Sequence, residues 1–338
     1  MSRATVMSAD LRRLLQSIFA VLAVACAPAW AQAPAWPNKP VHLLVPFPAG
    51  GPTDVTARIY ADKLAARLNQ PFVVENKPGP NGIAVYNAVI AAPADGNTLA
   101  FVTPGGQVLQ PAINAYLKKP VEQDVNKLLA PVGLLAESPL VLVVSNKVPA
   151  NTVPELLAWL KANAAKANYA SDGVGSSTHL AAEMFNDALG IQAVHVPFKG
   201  TVDSMNAVMQ GDAHFAFAGI LTPLALHRAG KLKIIAIGGT SAVASLPGVP
   251  LLADAANLPG FDVSSWFALF APKDTPPERV ALLNAQLEAI ARQPDVIEKF
   301  ANLGLQPRPV SAAELAQRIQ RDVRKWNELL VRTQLKLN

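Results

Sequence analysis

Residues 45–54 read VPFPAGGPTD and join an apolar run (41–45) to a run with helical periodicity (54–69). This pattern predicts a strand, a tight turn and a helix. Gly50 and Gly51 lack a Cβ, so a ligand can come close to the backbone of the turn. The first N–H groups of a helix have no partner within the helix, and the helix dipole favours an anion there. We therefore expect the turn to bind an anion through these two amides, with Thr53 or Asp54 capping the helix.

A second turn of the same kind lies at residues 171–178, which read SDGVGSST and precede another helical run. Gly173 and Gly175 open this turn, and the three hydroxyl residues that follow offer further donors. Open α/β sheets bind ligands beyond the carboxyl ends of their strands. If the two turns belong to different lobes, they would hold the two ends of a small dicarboxylate. The alternative is that both are ordinary glycine-rich turns that bind nothing.

Strand and helix patterns alternate along the chain, which predicts an α/β fold with mostly parallel sheets flanked by helices. About 300 residues of this pattern fit either a closed eight-stranded barrel or two open sheets. The glycine-rich turns cluster rather than recur eight times, which favours two open sheets. The chain crosses between lobes near residues 132–145 and 246–261. We therefore place residues 36–135 and 262–338 in lobe 1, and residues 136–261 in lobe 2.

The N-terminus has the pattern of a secretory signal peptide over residues 1–31. Three arginines precede an apolar run at 18–27, and the cleavage signal is Ala29-Trp30-Ala31. We expect cleavage after Ala31 and export to the periplasm. Cys26, the single cysteine, lies inside this segment; the alternative is a lipoprotein acylated at Cys26. No later apolar run is long enough to span a membrane.

Charge and motifs exclude several classes of function. Residues 1–31 hold three basic residues and one acidic one, so removing them lowers the formal net charge from +5 to +3. That charge is small and dispersed, and we expect no nucleic acid partner. The stretch GVGSST lacks the third glycine of a dinucleotide fingerprint, and no phosphate-binding loop or nucleophile elbow occurs. The five histidines have no metal-binding spacing. We expect no cofactor, no metal and no catalytic residue.

Several stretches in the same order resemble one known family. They are VPFPAGGPTDVTARIYADKLAARLNQPFVVENKPG, PADGNTLAFVT, NYASDGVGSSTHLAAEMF, HVPFKG and SSWFALFAP. The chain is similar along its whole exported length to the Bug-type extracytoplasmic solute-binding proteins of tripartite tricarboxylate transporters. The resemblance implies a type II-like, two-lobed periplasmic binding protein with a ligand cleft between the lobes. The expected ligand-binding residues are Phe47, Pro48, Ala49, Gly50, Gly51, Thr53, Thr103, Gly175, Ser176, Ser177, Lys199 and Ala218.

The resemblance also implies partners. The ligand would be a small organic carboxylate, either a di- or tricarboxylate or an aromatic carboxylate. A monomeric receptor would deliver it to the large and small integral membrane subunits of the transporter. One alternative is an exported sensory module that acts on a membrane kinase. Another is an exported hydrolase or isomerase, which would need His179 to lie beside a hydroxyl nucleophile.

The chain departs from the family pattern at some positions. Ala218 stands where many relatives have an acidic residue, so an amino acid ligand is disfavoured. Asn81 and Val85 stand where relatives commonly have glycine. Asp172 puts a carboxylate inside the second anion-binding turn, and we expect it to point away from the ligand or to pair with Lys199.

Overall fold

The computed structural model describes residues 36–50, 52–79, 82–120, 123–335 and 337. The predicted signal peptide, residues 1–31, lies outside the described residues. The chain divides at Asn38, and residues 39–338 form one compact unit. Within the described residues, no helix is both long enough and apolar enough to cross a membrane.

The chain begins with two parallel strand–helix units of the first sheet. Their elements are β1 (Val41–Val45), α1 (Pro52–Leu68), β2 (Phe72–Asn76), α2 (Ile83–Ile90) and β3 (Thr98–Val102). Strand β1 pairs in parallel with both β2 and β3. The carboxyl ends of these three strands therefore meet at one edge of the sheet.

The next segment leads to the second sheet. It contains a π-helical turn (Gly105–Leu109, the π-turn), α3 (Gln110–Tyr116), α4 (Val125–Leu128), β4 (Leu129–Ser138) and β5 (Leu140–Val144). Strand β4 belongs to the first sheet and β5 to the second, with only Pro139 between them. Every residue of β5 is buried, as expected for a continuous apolar run that is covered on both faces.

The second sheet alternates strands and helices like the first. After β5 come α5 (Val153–Ala162), β6 (Asn168–Ser171), α6 (Ser177–Leu189), β7 (Val194–Pro197), α7 (Thr201–Gln210), β8 (Phe215–Gly219), α8 (Leu221–Arg228), β9 (Lys233–Ile237) and α9 (Leu252–Ala255). The strand order is β7-β6-β8-β5-β9. Strand β6 is parallel to β7 and β8, so the loops after these strands also share one edge.

The chain then returns to the first sheet. The elements are β10 (Ser265–Pro272), α10 (Pro277–Ala291), α11 (Pro294–Asn302), β11 (Gln306–Val310) and α12 (Ala312–Thr333). The first sheet has the order β11-β4-β10-β3-β1-β2. The distribution of strands over two sheets confirms the predicted α/β class with two lobes. The lobe boundaries at residues 135, 136, 261 and 262 stay a prediction.

The expectation of mostly parallel sheets is wrong for the strands that connect the lobes. In the first sheet β10 is antiparallel to β3 and β4, and β11 is antiparallel to β4. In the second sheet β5 is antiparallel to β8 and β9. Parallel neighbours need a crossover connection, usually a helix. At the two crossings, from β4 to β5 and from β9 to β10, consecutive strands belong to different sheets, so no such crossover joins them within one sheet.

The hydrophobic core continues from one sheet to the other. One apolar cluster contains Leu44 and Ala100 of the first sheet together with Leu142 and Phe217 of the second. Trp266, on β10, is fully buried in this cluster. This tryptophan therefore fills the core.

Candidate functional site

Asp54 holds the loop between β1 and α1 (residues 46–51, the first loop) in shape. Its side chain is buried and accepts the N–H of Gly50 at 2.9 Å. It also accepts two hydrogen bonds of 3.0 Å from Arg58 and one of 2.9 Å from the amide of Asn76. Asn76 donates in turn to the carbonyl of Phe47 at 3.0 Å. One residue of β2 thus ties the first loop to the neighbouring strand.

The expectation that the Gly50 amide is free for an anion is wrong, because Asp54 accepts it. Gly50 has a φ of 83°, a left-handed conformation that glycine adopts without steric cost. Burial by itself would raise the pKa of Asp54, but hydrogen bonds from Arg58, Gly50 and Asn76 hold this pKa below its ordinary value. The carboxylate stays ionised, and Arg58 compensates its charge.

Tyr86, on α2, supports the backbone that follows β3. Its hydroxyl lies 2.6 Å from Oε1 of Gln107 in the π-turn. A Cβ at position 106 would stand 2.1 Å from the tyrosine ring, so only glycine fits there. Burial raises the pKa of Tyr86, which keeps the hydroxyl protonated as a donor to Gln107. Short π-helical segments are frequent at functional sites.

Thr103 lies between β3 and the π-turn and is half-buried. Since β3 runs parallel to β1, Thr103 stands at the same edge of the sheet as the first loop. Its hydroxyl has no hydrogen bond partner among the residues that the structure describes. Thr103 is therefore a donor available to a ligand from the first lobe.

The loop between β6 and α6 (residues 172–176, the second loop) is closed by the first turn of α6. Ser176 is the N-cap residue, and its Oγ accepts the N–H of His179 at 3.2 Å. Thr178 Oγ1 accepts the N–H of Asp172 at 2.9 Å. The N–H of Gly175 donates to Nδ1 of His179 at 3.0 Å. The loop backbone is thus fixed by side chains of its own helix.

Ser177 is the first residue of α6 and keeps free donors. It is half-buried, and its hydroxyl has no partner within the described ranges. Its backbone amide lies in the first turn, where helical amides lack partners in the helix and the dipole favours an anion. Ser177 is the counterpart, in the second lobe, of Thr103 in the first.

Asp172 does not pair with Lys199, and that part of the expectation is wrong. Its carboxylate accepts hydrogen bonds from the hydroxyls of Thr201 at 2.7 Å and Ser204 at 2.8 Å, both on α7. Burial raises the pKa of Asp172, and the two hydroxyl groups oppose that shift only in part. Its carboxyl group is thereby held by hydroxyl groups of α7.

A cavity of ≈ 320 Å³ lies between the second loop and α3. Its wall from the second lobe includes residues 172–176, and its wall from the first lobe includes Gln110, Ile113 and Lys119. A Cβ at Gly175 would stand 3.2 Å from Cδ1 of Ile113, so the two walls touch at this point. Lys119 is exposed at the rim, and in the described part of the chain it makes no ion pair. The cavity volume is at the lower end of the range of about 300–1,000 Å³ found for small-molecule sites.

Comparison with known proteins decides the family. A model described as "Tripartite tricarboxylate transporter family receptor" matches residues 56–335. The chain belongs to this receptor family. It is 30% identical over 328 residues to BugT of Bordetella pertussis, which covers 97% of this chain and 99% of BugT.

Solved structures of similar proteins support the assignment to this receptor family. Rpa4515 of R. palustris, solved with adipate, has a TM-score of 0.77 and 28% identity, covering 88% of this chain and 98% of its own. MatC of Rhodopseudomonas palustris, solved with bound malate, has a TM-score of 0.73 and 31% identity, covering 87% of this chain and 100% of its own. The predicted family and the two-lobed fold of this receptor are confirmed.

The remaining predicted site residues of the receptor lie in different surroundings. Phe47, Pro48, Ala49 and Gly50 are exposed, Thr53 is buried, and Gly51 lies outside the described residues. Lys199 is exposed and lines a groove along α7 with Asp203 and Asn206. Ala218 is fully buried within β8 and packs in the core of the second lobe. Its side chain is therefore part of the core packing of the second lobe.

The sequence pattern missed several residues that shape the receptor's site. Arg58 and Asn76 bind Asp54, Tyr86 and Gln107 support the π-turn, and Lys119 stands at the cavity rim. The spacing of Asp54 and Arg58, four residues apart on one helix, is the signal that could have revealed the first pair. The others depend on pairing between distant strands and on the path of the chain after α3.

The structure also bears on the hydrolase alternative. The side chain of His179 contacts the amide of Gly175 and not a hydroxyl nucleophile. Another histidine does meet a serine, since Nε2 of His195 lies 2.6 Å from Oγ of Ser171. Ser171 is fully buried, so this hydroxyl is out of reach of a substrate. No group of three metal-ligating side chains occurs among the residues that the structure describes.

Proposed function

We propose that the chain is a periplasmic receptor that binds a small organic carboxylate between its two lobes for uptake by a tripartite tricarboxylate transporter. One observation carries this proposal. In each sheet, a loop that leads into a helix lies at the edge where the parallel strands have their carboxyl ends. The chain also belongs to this receptor family. Thr103 and Ser177 supply hydroxyl donors from opposite lobes. Hydrogen bonds from such donors to a carboxylate are stronger than those between neutral groups.

The two similar proteins with bound ligands favour dicarboxylates as the first compounds to test. Adipate and malate are both dicarboxylates, and they were found in Rpa4515 and MatC. Two carboxylates suit a site whose donors come from two lobes. The side chain of Phe47 is 39% exposed on the first loop and offers an apolar contact to the middle of a longer acid such as adipate.

The proposed ligand contacts from the first lobe are the first loop, Thr53 and Thr103. Those from the second lobe are in the segment Gly175–Ser177. The hydroxyls of Ser176 and Ser177 would meet one carboxylate, and Gly175, whose amide is bound to His179, would shape the loop beside it. Residues 47–51 would approach the other. Lys199 and Ala218 stay predictions as ligand contacts.

Ligand binding would shift an equilibrium between open and closed lobes, and the transporter would recognise the closed state. The transporter partners would be one large and one small integral membrane subunit, and the receptor would act as a monomer. The competing proposal, a sensory module, uses the same ligand site and differs only in the membrane partner. Recovery of membrane proteins that bind only the ligand-loaded chain would separate the two.

Thermal unfolding in the presence of carboxylates tests the proposed function. A ligand at 100 times its dissociation constant adds about 2.7 kcal/mol to the free energy of unfolding. We expect a rise in Tm with adipate, malate or another di- or tricarboxylate, and none with the corresponding diamides. No shift with mono-, di-, tri- or aromatic carboxylates would refute the proposal, provided that native mass spectrometry shows no copurified ligand.

A further inference from the structure

A buried histidine, His179, and a half-buried one, His195, lie beneath the second loop, and this inference rests on the function proposed above. His179 is 1% exposed, and its Nδ1 accepts the N–H of Gly175 at 3.0 Å. An N–H group can donate only to an unprotonated nitrogen. His179 is therefore neutral, with its proton on Nε2.

His195, on β7, extends this arrangement to the other end of the loop. Its ring stacks on that of His179 with centroids 3.8 Å apart and planes 8° from parallel. Its Nε2 lies 2.6 Å from Oγ of Ser171. That oxygen lies 3.2 Å from both the N and the O of Gly173. His179 thus fixes Gly175 directly, and His195 fixes Gly173 through the hydroxyl of Ser171.

The surroundings of the two rings disfavour a positive charge. Burial lowers the pKa of His179 to about 3 and that of His195 to about 4. Tyr169 on β6 stacks with both rings, and its hydroxyl donates to the carboxyl group of Glu183 on α6. Burial raises the pKa of both Tyr169 and Glu183. Two stacked imidazolium ions would repel each other.

We infer that His179 and His195 are positioning residues, which as a neutral stacked pair fix Gly175 and Gly173 and so present Ser176 and Ser177 to a bound carboxylate. The Gly175 amide is used inside the loop and not on the ligand. The role of His179 is to accept a hydrogen bond at Nδ1. A side chain that keeps an acceptor at this position should preserve the loop, and an aromatic ring without one should not.

The first test is the tautomer of His179 in the ligand-free chain. Long-range ¹H–¹⁵N spectra of the histidine-labelled protein at neutral pH distinguish the two neutral tautomers and the charged form. We expect His179 as the Nε2–H tautomer. A proton on Nδ1, in either the neutral or the charged form, would overturn the inference, and this test needs no ligand.

Two substitutions then separate the hydrogen bond from the ring. His179→Asn places an amide oxygen near the position of Nδ1 but removes the stack, whereas His179→Phe keeps a ring and removes the acceptor. We expect His179→Phe to speed hydrogen exchange in peptides that contain Gly175, and His179→Asn to leave it close to wild type. Equal effects of the two variants, or no effect of either, would overturn the inference. If His179→Phe does not fold, a loss of protection at Gly175 in His179→Asn would still do so.

Binding of adipate and malate measures the consequence for ligand capture. We expect affinity to fall about tenfold or more in His179→Phe and to stay near wild type in His179→Asn. Wild-type affinity in a folded His179→Phe would refute the role in capture while leaving the proposed function intact. If the wild-type chain binds no carboxylate at all, the proposed function fails, and the tautomer and exchange results still decide whether His179 positions the loop.

Discussion

At the scale of single residues, one glycine in the first loop and one in the second loop have the same role. Gly50 donates its N–H to Asp54, and Gly175 donates its N–H to His179, in each case four residues later in the first turn of a helix. Both amides are therefore used to shape the loop. The donors left for a ligand are hydroxyl groups and the other amides at the helix starts. A preformed loop of this kind reduces the ordering that binding requires.

Asp54 is the residue on which the first loop depends, and Asp54→Asn tests this role. The substitution removes the negative charge that pairs with Arg58. It also places an amide group next to three donors, which are the Gly50 N–H, the Arg58 guanidinium and the Asn76 amide. Asp54 is buried, and hydrogen bonds to a charged group contribute about 1.5–3 kcal/mol. We expect the free energy of unfolding to fall by that amount, measured by urea denaturation.

Asp295→Asn is the matched control for this measurement. Asp295, like Asp54, forms ion pairs, in its case with Lys63 and Lys299, but its side chain is 48% exposed. Solvent screens such pairs, so we expect no measurable change in stability. If both substitutions had the same small effect, Asp54 would not organise the first loop.

The neutral His195 predicts a loss of stability in acid. Burial lowers the pKa of His195 to about 4, below the value of about 6.5 in an unfolded chain. As pH falls below about 6.5, the unfolded state takes up the proton first, so the folded state loses stability until about pH 4. His195→Gln keeps a polar group near Nε2 and does not titrate. We expect its unfolding free energy to fall less over this interval, and parallel pH profiles would contradict the assignment.

At the scale of elements, α12 secures the place where the chain crosses between the lobes. Arg318 on α12 forms an ion pair with Glu137 near the end of β4, and Glu137 also lies 3.6 Å from Arg308 on β11. The side chains of Glu137 and Arg318 are 7% and 16% exposed. Breaking a buried ion pair costs about 3–5 kcal/mol, and without Arg318 the Glu137 carboxylate keeps only the more exposed and more distant Arg308. We expect Arg318→Met to lower the free energy of unfolding by about 3 kcal/mol.

Arg332→Met, on the same helix, is the control for Arg318→Met. Arg332 pairs with Asp187 of α6 at 2.7 Å, and its side chain is 62% exposed. Exposed pairs of this type contribute about 0–1 kcal/mol. Denaturation curves of the two variants should therefore separate clearly. Coincident curves would show that the buried pair does not stabilise the crossing.

The helices and most strands could be predicted from the sequence because their signals are local. The S-x-x-E pattern at Ser311–Glu314 is a capping box that begins α12, and the T-x-x-E pattern that begins at Thr152 caps α5. Strand β11 carries no strand signal in the sequence because it contains Pro307 and Pro309. Prolines are tolerated in a strand at the edge of a sheet, and β11 is such an edge strand. The sequence alone does not reveal which strand will be at the edge.

The candidate site was predictable where a loop and its helix are adjacent in the chain. The N-cap role of Ser176 and the importance of the first loop follow from local patterns. The partners that fix these loops come from elsewhere: Asn76 reaches the first loop because β2 pairs with β1, and His195 reaches the second because β7 pairs with β6. Strand pairing and register decide these contacts, and one sequence does not specify them.

At the scale of the whole molecule, the lobes share one core and also meet away from it. The side chain of Gln306 on β11 bonds with Ser241 and with the carbonyl of Ala242 in the second lobe. On another face, Ile113 lies against Gly175. Closure on a ligand would therefore be a hinge motion at the β4–β5 and β9–β10 connections, with the sheets moving as units.

Titration calorimetry with donors removed from each lobe tests the central claim that a carboxylate bridges the lobes. The measurement uses adipate or malate with the wild-type chain, Thr103→Val and Ser177→Ala, and takes Ser245→Ala as a control. Ser245 has a buried hydroxyl without a partner in the described residues, so its removal should not change affinity. We predict that Thr103→Val and Ser177→Ala each weaken binding by about 1–3 kcal/mol. Unchanged affinity in both variants would contradict a ligand held between the two lobes.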